Sequence, residues 1–230
     1  MKKIKIMKKT LSNLFFIITF LVSSAQIDRT MPNSEPAPQI NFEEPISYEL
    51  KNGLKVMFIE NRKLPRASVN LFIDNPPVIE GNLSGIGYLT GGIMGKGNVF
   101  QEKDSFNEEV DFMGARMNFS SGGGSAFSLS RYFERVLTMF SQGVLFPNFT
   151  IEEFNQEKNI LLDNIKNNEK NTGSIARRVE DVLAYGITHP YGEFTTIESM
   201  NKIELADVKK YYNDYFKPNN AYLVIIGDID

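Results

Sequence analysis

The stretch Gly85-Ile86-Gly87-Tyr88-Leu89-Thr90-Gly91-Gly92-Ile93-Met94-Gly95-Lys96-Gly97 places six glycines in thirteen residues. Such a run first suggests a loop that cradles phosphate. A Walker-type loop needs glycine five residues ahead of its Gly-Lys pair and a hydroxyl after it. Thr90 and Gly97 stand at those positions, so neither the closing turn nor the magnesium ligand is present. A dinucleotide fingerprint starting at Gly85 and Gly87 fails at Thr90, where its third glycine belongs. The remaining reading is a helix with Ile86, Leu89, Ile93 and Met94 on one face. Each interior glycine costs such a helix about 1 kcal/mol relative to alanine. It holds only if its neighbours bury it, and glycine there lets another backbone approach closely.

Upstream, residues 46–50 and 54–60 flank Lys51-Asn52-Gly53, and the Asn-Gly pair predicts a type I′ hairpin turn. Residues 67–73 alternate Val69, Leu71 and Ile73 with smaller or polar neighbours, which gives a third strand. Downstream, Ser105 with Glu108 predicts a capping box for a short helix carrying Phe106, Val110 and Met113, stopped at Gly114. Residues 116–121 and 125–130 read as two strands around Gly122, Gly123 and Gly124.

Phe133, Val136, Leu137 and Phe140 then form a helical face ended by Gly143. Thr150 with Glu153 caps a longer helix that buries Phe154, Leu161, Leu162 and Ile165. Ser174 opens another, with Ile175, Val179, Val182 and Leu183 inward and Gly186 at its end. A last helix, capped by Asn201 with Glu204, carries Ile203, Val208, Tyr211, Tyr212 and Tyr215 and stops at Pro218. Residues 221–226 are almost wholly apolar, as expected of a central strand buried on both faces. This order predicts an α+β domain, a mixed and largely antiparallel sheet with helices packed on one face.

Composition narrows the chemistry. The chain has no cysteine and one histidine, His189, so thiolate sites and cysteine nucleophiles are excluded and a self-contained zinc enzyme is disfavoured. Five lysines in the first nine residues, the apolar run 14–22 and Ser23-Ser24-Ala25 predict a secretory signal peptide over residues 1–25. Residues 26–45 hold Pro32, Pro36, Pro38 and Pro45 and read as an extended linker, leaving 46–230 as the folded domain. The leader holds five of the 25 basic residues and none of the 28 acidic ones, so the remainder is acidic by eight charges. An acidic body without a basic cluster argues against nucleic acid and against anionic lipid, and the nine-residue apolar run is too short for a stable membrane anchor. The expected location is secreted, in a bacterial periplasm or cell envelope. The chain stops just after the strand at 221–226, which suggests that the polypeptide continues or is half of something.

Seven pieces in order resemble the N-terminal domain of the insulinase (M16) family of peptidases, which includes mitochondrial processing peptidases and pitrilysin-like enzymes. They are Asn52-Gly53-Leu54-Lys55-Val56; Gly85-Ile86 leading to Lys96-Gly97; Gly114-Ala115-x-Met117-Asn118; Glu157-Lys158-Asn159-Ile160; His189-Pro190-Tyr191-Gly192; Tyr211-Tyr212 through Ala221; and Gly227-Asp228. The resemblance implies an inverted zinc motif, H-x-x-E-H, on the helix after Gly85-Ile86, with a distant Glu as the last ligand. Here that run is Tyr88, Leu89, Thr90, Gly91, Gly92, and the distant Glu falls near Asn164, with Asp163 one residue away. Both histidines and the general base are missing, so the expectation is no catalytic residue, no metal ligand and no cofactor.

The resemblance also implies that an extended peptide adds as a strand beside Met117, Asn118, Phe119 and Ser120. Equally, Asn118 and Ser120 read as the solvent face of a hairpin. Its further implication is a catalytically silent half of a zinc peptidase assembly, whose partner is a second domain or subunit bearing H-x-x-E-H, the two enclosing a peptide chamber. A stand-alone peptide-binding or envelope scaffold module is the alternative; an active metallopeptidase is the third reading. His189 reads as a turn residue, Arg177-Arg178 as a solvated helix face, Glu108-Glu109 and Glu152-Glu153 as first-turn charges, and Met57, Met113 and Met117 as core.

Overall fold

Strand β1 (Ile46–Glu49) turns back into β2 (Lys55–Glu60) through residues 50–54. The Gly53 N–H donates to the Leu50 carbonyl at 2.8 Å and the Leu50 N–H to the Leu54 carbonyl at 2.9 Å. Gly53 has φ +88°, while no described non-glycine residue has positive φ. The turn is therefore not type I′. Asn52 keeps an ordinary backbone and its side-chain oxygen accepts the Leu54 N–H at 3.2 Å, so one left-handed residue completes a turn with a bulge.

This computed structural model describes residues 44–229, which lie within one compact unit, Glu43–Asp230. The expected leader 1–25 and all but the last two residues of the linker lie outside the described residues. A third strand β3 (Arg66–Ile73), a two-residue pair β4 (Gly97–Asn98) and β5 (Gln101–Glu102), then β6 (Arg116–Ser120), β7 (Gly123–Leu129) and β8 (Ala221–Gly227) complete the strands. The main sheet runs β1-β2-β8-β3-β7-β6, and only β2 and β8 pair in parallel. It is the mixed, largely antiparallel sheet that the sequence pattern predicts. The last strand, β8, sits in the middle, while β6 forms one outer edge.

One sheet face buries Ala67, Val69, Leu71 and Ala126 against helices α2 (Lys103–Phe112) and α3 (Ser130–Leu145), which contribute Phe106, Val110, Phe133, Val136 and Phe140. The other face leaves Phe72 and Phe127 exposed, so β8 is half-buried along most of its length rather than covered on both sides. A second core gathers helices α1 (Ile86–Met94), α4 (Ile151–Asn168), α6 (Ile197–Lys202) and α7 (Leu205–Tyr215) around Leu89, Ile93, Phe154, Met200 and Val208. This burial is what holds the glycine-rich α1 helical.

Several local expectations shift. Helix α2 begins at Lys103 with Glu102 at its N-cap and no side-chain bond there; Ser105 lies inside it and receives the Gln101 amide instead. Helix α3 continues through Gly143, where the Phe119 ring takes the space a Cβ would occupy, 2.6 Å away, so glycine there serves packing rather than a stop. Strand β7 starts within the glycine triplet at Gly123. Helix α5 (Thr172–Tyr185) is opened by the Asn171 side chain, which accepts the Ser174 N–H at 3.0 Å, and ends at Gly186 as expected. Ile175, Val179 and Leu183, expected inward, are exposed, Leu183 by 81%, and no residue of α5 is buried. Residues 197–215 hold two helices, capped by Thr196 with Ser199 and by Glu204 with Asp207, so the predicted Asn201 cap is displaced.

Candidate functional site

The site is built on α1. Its N-cap, Gly85, has φ +101°, and the first free N–H groups are capped from a distance. The Glu80 carboxylate accepts the Gly85 N–H at 2.6 Å and the Gly87 N–H at 2.9 Å. Glu193 in turn accepts the Glu80 and Gly81 N–H groups at 2.9 and 2.6 Å. Burial raises the Glu80 carboxyl above its ordinary pKa; the backbone N–H groups of Gly85, Gly87 and Ile86 oppose this and the nearby Glu193 charge adds to it. Tyr211, whose hydroxyl would meet a Cβ at Gly87 at 3.0 Å, is pushed up to about 12 by burial first, then by Glu80 and Tyr215.

The residues that the resemblance matches to H-x-x-E-H meet different surroundings. Tyr88, at the first histidine position, is 73% exposed. A Cβ on Gly91, at the general-base position, would lie 2.7 Å from both the Ser120 Cα and the Ser121 nitrogen. Backbone therefore occupies the volume a glutamate side chain would need. A Cβ on Gly92, at the second histidine position, would meet the Glu157 carboxylate at 2.6 Å. That carboxylate pairs with Lys96 at 3.3 Å. Asn164 lies on α4 and shares with Tyr88 the wall of a cavity of about 630 Å³.

A phenol, two hydrogens and an amide do not make a zinc donor set, and there is no room for a restored base at Gly91. Among the described residues, no group of three His, Cys, Asp or Glu is placed to hold a metal ion. The residues present do not fit the zinc that the fold family implies.

Strand β6 packs beside α1 and presents the outer sheet edge. Its side chains alternate: Met117 and Phe119 turn into the core, where Phe119 stacks on Phe140 at 5.5 Å, while Asn118 and Ser120 face outward. Of the four expected peptide-binding residues, two therefore offer side chains to solvent and two offer only backbone. His189 sits in a turn, accepting the Tyr191 N–H on Nδ1 at 3.1 Å and stacking on Tyr185 at 5.3 Å. The sequence reading missed Glu80 and Glu193, whose capping acts across five and more than a hundred residues. It also missed that Arg177 and Arg178 line the cavity beside Tyr88 and Asn164.

A central mixed sheet with a helical layer on one face and a Gly-Ile helix beside an edge strand is the architecture of an M16 peptidase domain. The protein is similar in sequence to the zinc protease PqqE of Helicobacter pylori, with 26% identity over 200 residues that make up 80% of this chain and 43% of that one. It superposes on a peptidase M16 inactive domain from Pseudomonas fluorescens with TM-score 0.74 and 24% identity, over 82% of this chain and 47% of the other. A protease from Helicobacter pylori gives TM-score 0.74 and 20% identity over the same shares. The periplasmic protease PqqL from Escherichia coli gives 0.67 and 19%, over 84% and 23%. No family model matches the chain. The chain thus has the fold of M16 peptidase domains and is similar in sequence to a zinc protease, and it spans less than half the length of these relatives.

Proposed function

We propose that this domain is a catalytically silent M16 half, which pairs with a second domain or subunit bearing H-x-x-E-H and helps enclose an extended peptide. The observation that carries this reading is the contact at Gly91. The backbone of residues 120–121 lies where a side chain at Gly91 would begin, which supports a use of this surface that does not rely on a catalytic base there. Strand β6 supplies the peptide grip through its free edge, a mode that needs backbone donors and acceptors and no catalytic side chain. The relatives' greater length supports a missing counterpart. No helix among the described residues is long and apolar enough to cross a membrane, which together with the periplasmic relative supports secretion to the periplasm.

The test is metal analysis and a peptidase assay of the protein alone and mixed with its H-x-x-E-H-bearing counterpart. Less than one zinc per ten chains, no turnover alone, and turnover that rises on mixing are expected. Stoichiometric zinc and turnover by the isolated chain would overturn the reading.

A further inference from the structure

The cavity of about 630 Å³ beside α1 is lined on one side by Tyr88 and Asn164 and on the other by Ser174, Arg177, Arg178 and Asp181 of α5. The two arginines sit on one wall without an ion pair among the described residues. The Arg178 guanidinium lies over the Phe194 ring, 5.4 Å from its centroid, a contact that engages the face of the guanidinium rather than its N–H groups. Asp181 is the only acid among the lining residues, so the pocket is locally cationic in an acidic protein. The N-terminal turn of α5 opens at its rim, adding the positive end of a fourteen-residue helix. The floor is apolar, with Leu161, Ile165 and Met200. Planar fork donors, amides and an apolar floor suit a carboxylate carried on a peptide.

We propose that this pocket binds a peptide carboxylate, either a chain's C-terminal group or an Asp or Glu side chain. The inference rests on the peptide-gripping reading of the same surface. Tyr88 and Thr195 line this cavity and also a neighbouring one of about 410 Å³ that reaches Ser121 and Gly122 after β6. A peptide laid along β6 would therefore pass Tyr88 and deliver its carboxylate to Arg177 and Arg178.

The test measures anisotropy of three fluorescein-labelled heptapeptides with the full chain: a neutral sequence with a free C-terminus, the same sequence amidated, and an amidated version with one internal Glu. Binding of either carboxylate form at least about tenfold tighter than the neutral amide is expected, the better of the two identifying the source. R177Q and R178Q should abolish the difference and R178K should retain part of it. Equal binding of all three peptides overturns the carboxylate site and leaves the edge-strand reading standing. If no peptide binds, the grip reading fails and a smaller probe decides the pocket. N-acetyl-dialanine acid, but not its amide, should shift the Nε–H resonances of Arg177 and Arg178, and no shift with the acid overturns the proposal.

Discussion

Gly91 and Ser120 are held so close that a Cβ on the glycine would lie 2.7 Å from the Ser120 Cα. The obstructing atoms are backbone, which cannot rotate away. Gly92 is the neighbouring case with the opposite character, because the atoms nearest its Cβ belong to the end of the Glu157 side chain. Gly91→Ala should therefore lower unfolding stability by about 2 kcal/mol despite alanine's better helix propensity. Gly92→Ala should stay within about 0.5 kcal/mol of the parent. Urea denaturation of the two variants measures this, and equal effects would show that α1 and β6 are not in the contact described.

Ser199 joins two segments that the sequence pattern does not connect. Its hydroxyl accepts the Thr196 N–H at 3.0 Å and donates to the Ser84 carbonyl at 2.9 Å, tying the start of α6 to the turn that leads into α1. The side chain is buried, so its removal leaves polar backbone groups unpaired. Ser199→Ala should cost about 2 kcal/mol. Hydrogen exchange should localise the loosening to residues 84–87 as well as to α6, and protection lost only in α6 would count against the tie.

The parts of the fold written in short-range pattern were legible from sequence. Thr150 accepts the Glu153 N–H at 3.2 Å as its spacing predicts, and Gly114 and Gly186 adopt the positive φ expected of helix stops. The hydrophobic period also identified α1, although its glycines argue against a helix in isolation. What failed depends on distant partners. Gly143 looked like a stop because nothing local reveals that Phe119 fills its space. Arg177 and Arg178 looked solvated because the cavity wall opposite them comes from Tyr88, some ninety residues upstream. The absence of H-x-x-E-H is plain in the sequence, whereas the closeness of residues 120–121 to Gly91 required three dimensions.

Helix α5 separates pattern from burial. Leu183 has the spacing of a core residue but is 81% exposed, while Leu89 on α1 is fully buried. Leu89→Ala should cost about 3 kcal/mol through lost contacts and a residual cavity. Leu183→Ala should change stability by no more than about 0.5 kcal/mol. Thermal and chemical unfolding of the isolated domain checks the pair, and a large effect at Leu183 would mean that α5 is covered by something that the described residues do not include.

Glu80 and Tyr211 make the base of α1 sensitive to pH at two ends of the scale. Both groups have folded pKa values above their ordinary ones, so each contributes fully when protonated and loses that contribution as its proton leaves. For Tyr211, stability present below pH 10 should fall as pH rises towards about 12. For Glu80, stability present below pH 4.5 should fall as pH rises through its raised value, and Glu80→Gln should remove that slope. The two effects are coupled, because at alkaline pH the Glu80 charge opposes formation of the tyrosinate beside it. Glu80→Gln should therefore lower the Tyr211 ionisation towards 10 without reaching it, since burial is the larger cause. A stopped-flow jump in pH, read at the tyrosinate absorbance before the chain unfolds, isolates this step as the difference between the parent and Tyr211→Phe. An unchanged Tyr211 titration in Glu80→Gln would show that the carboxylate and the phenol do not face one another across Gly87.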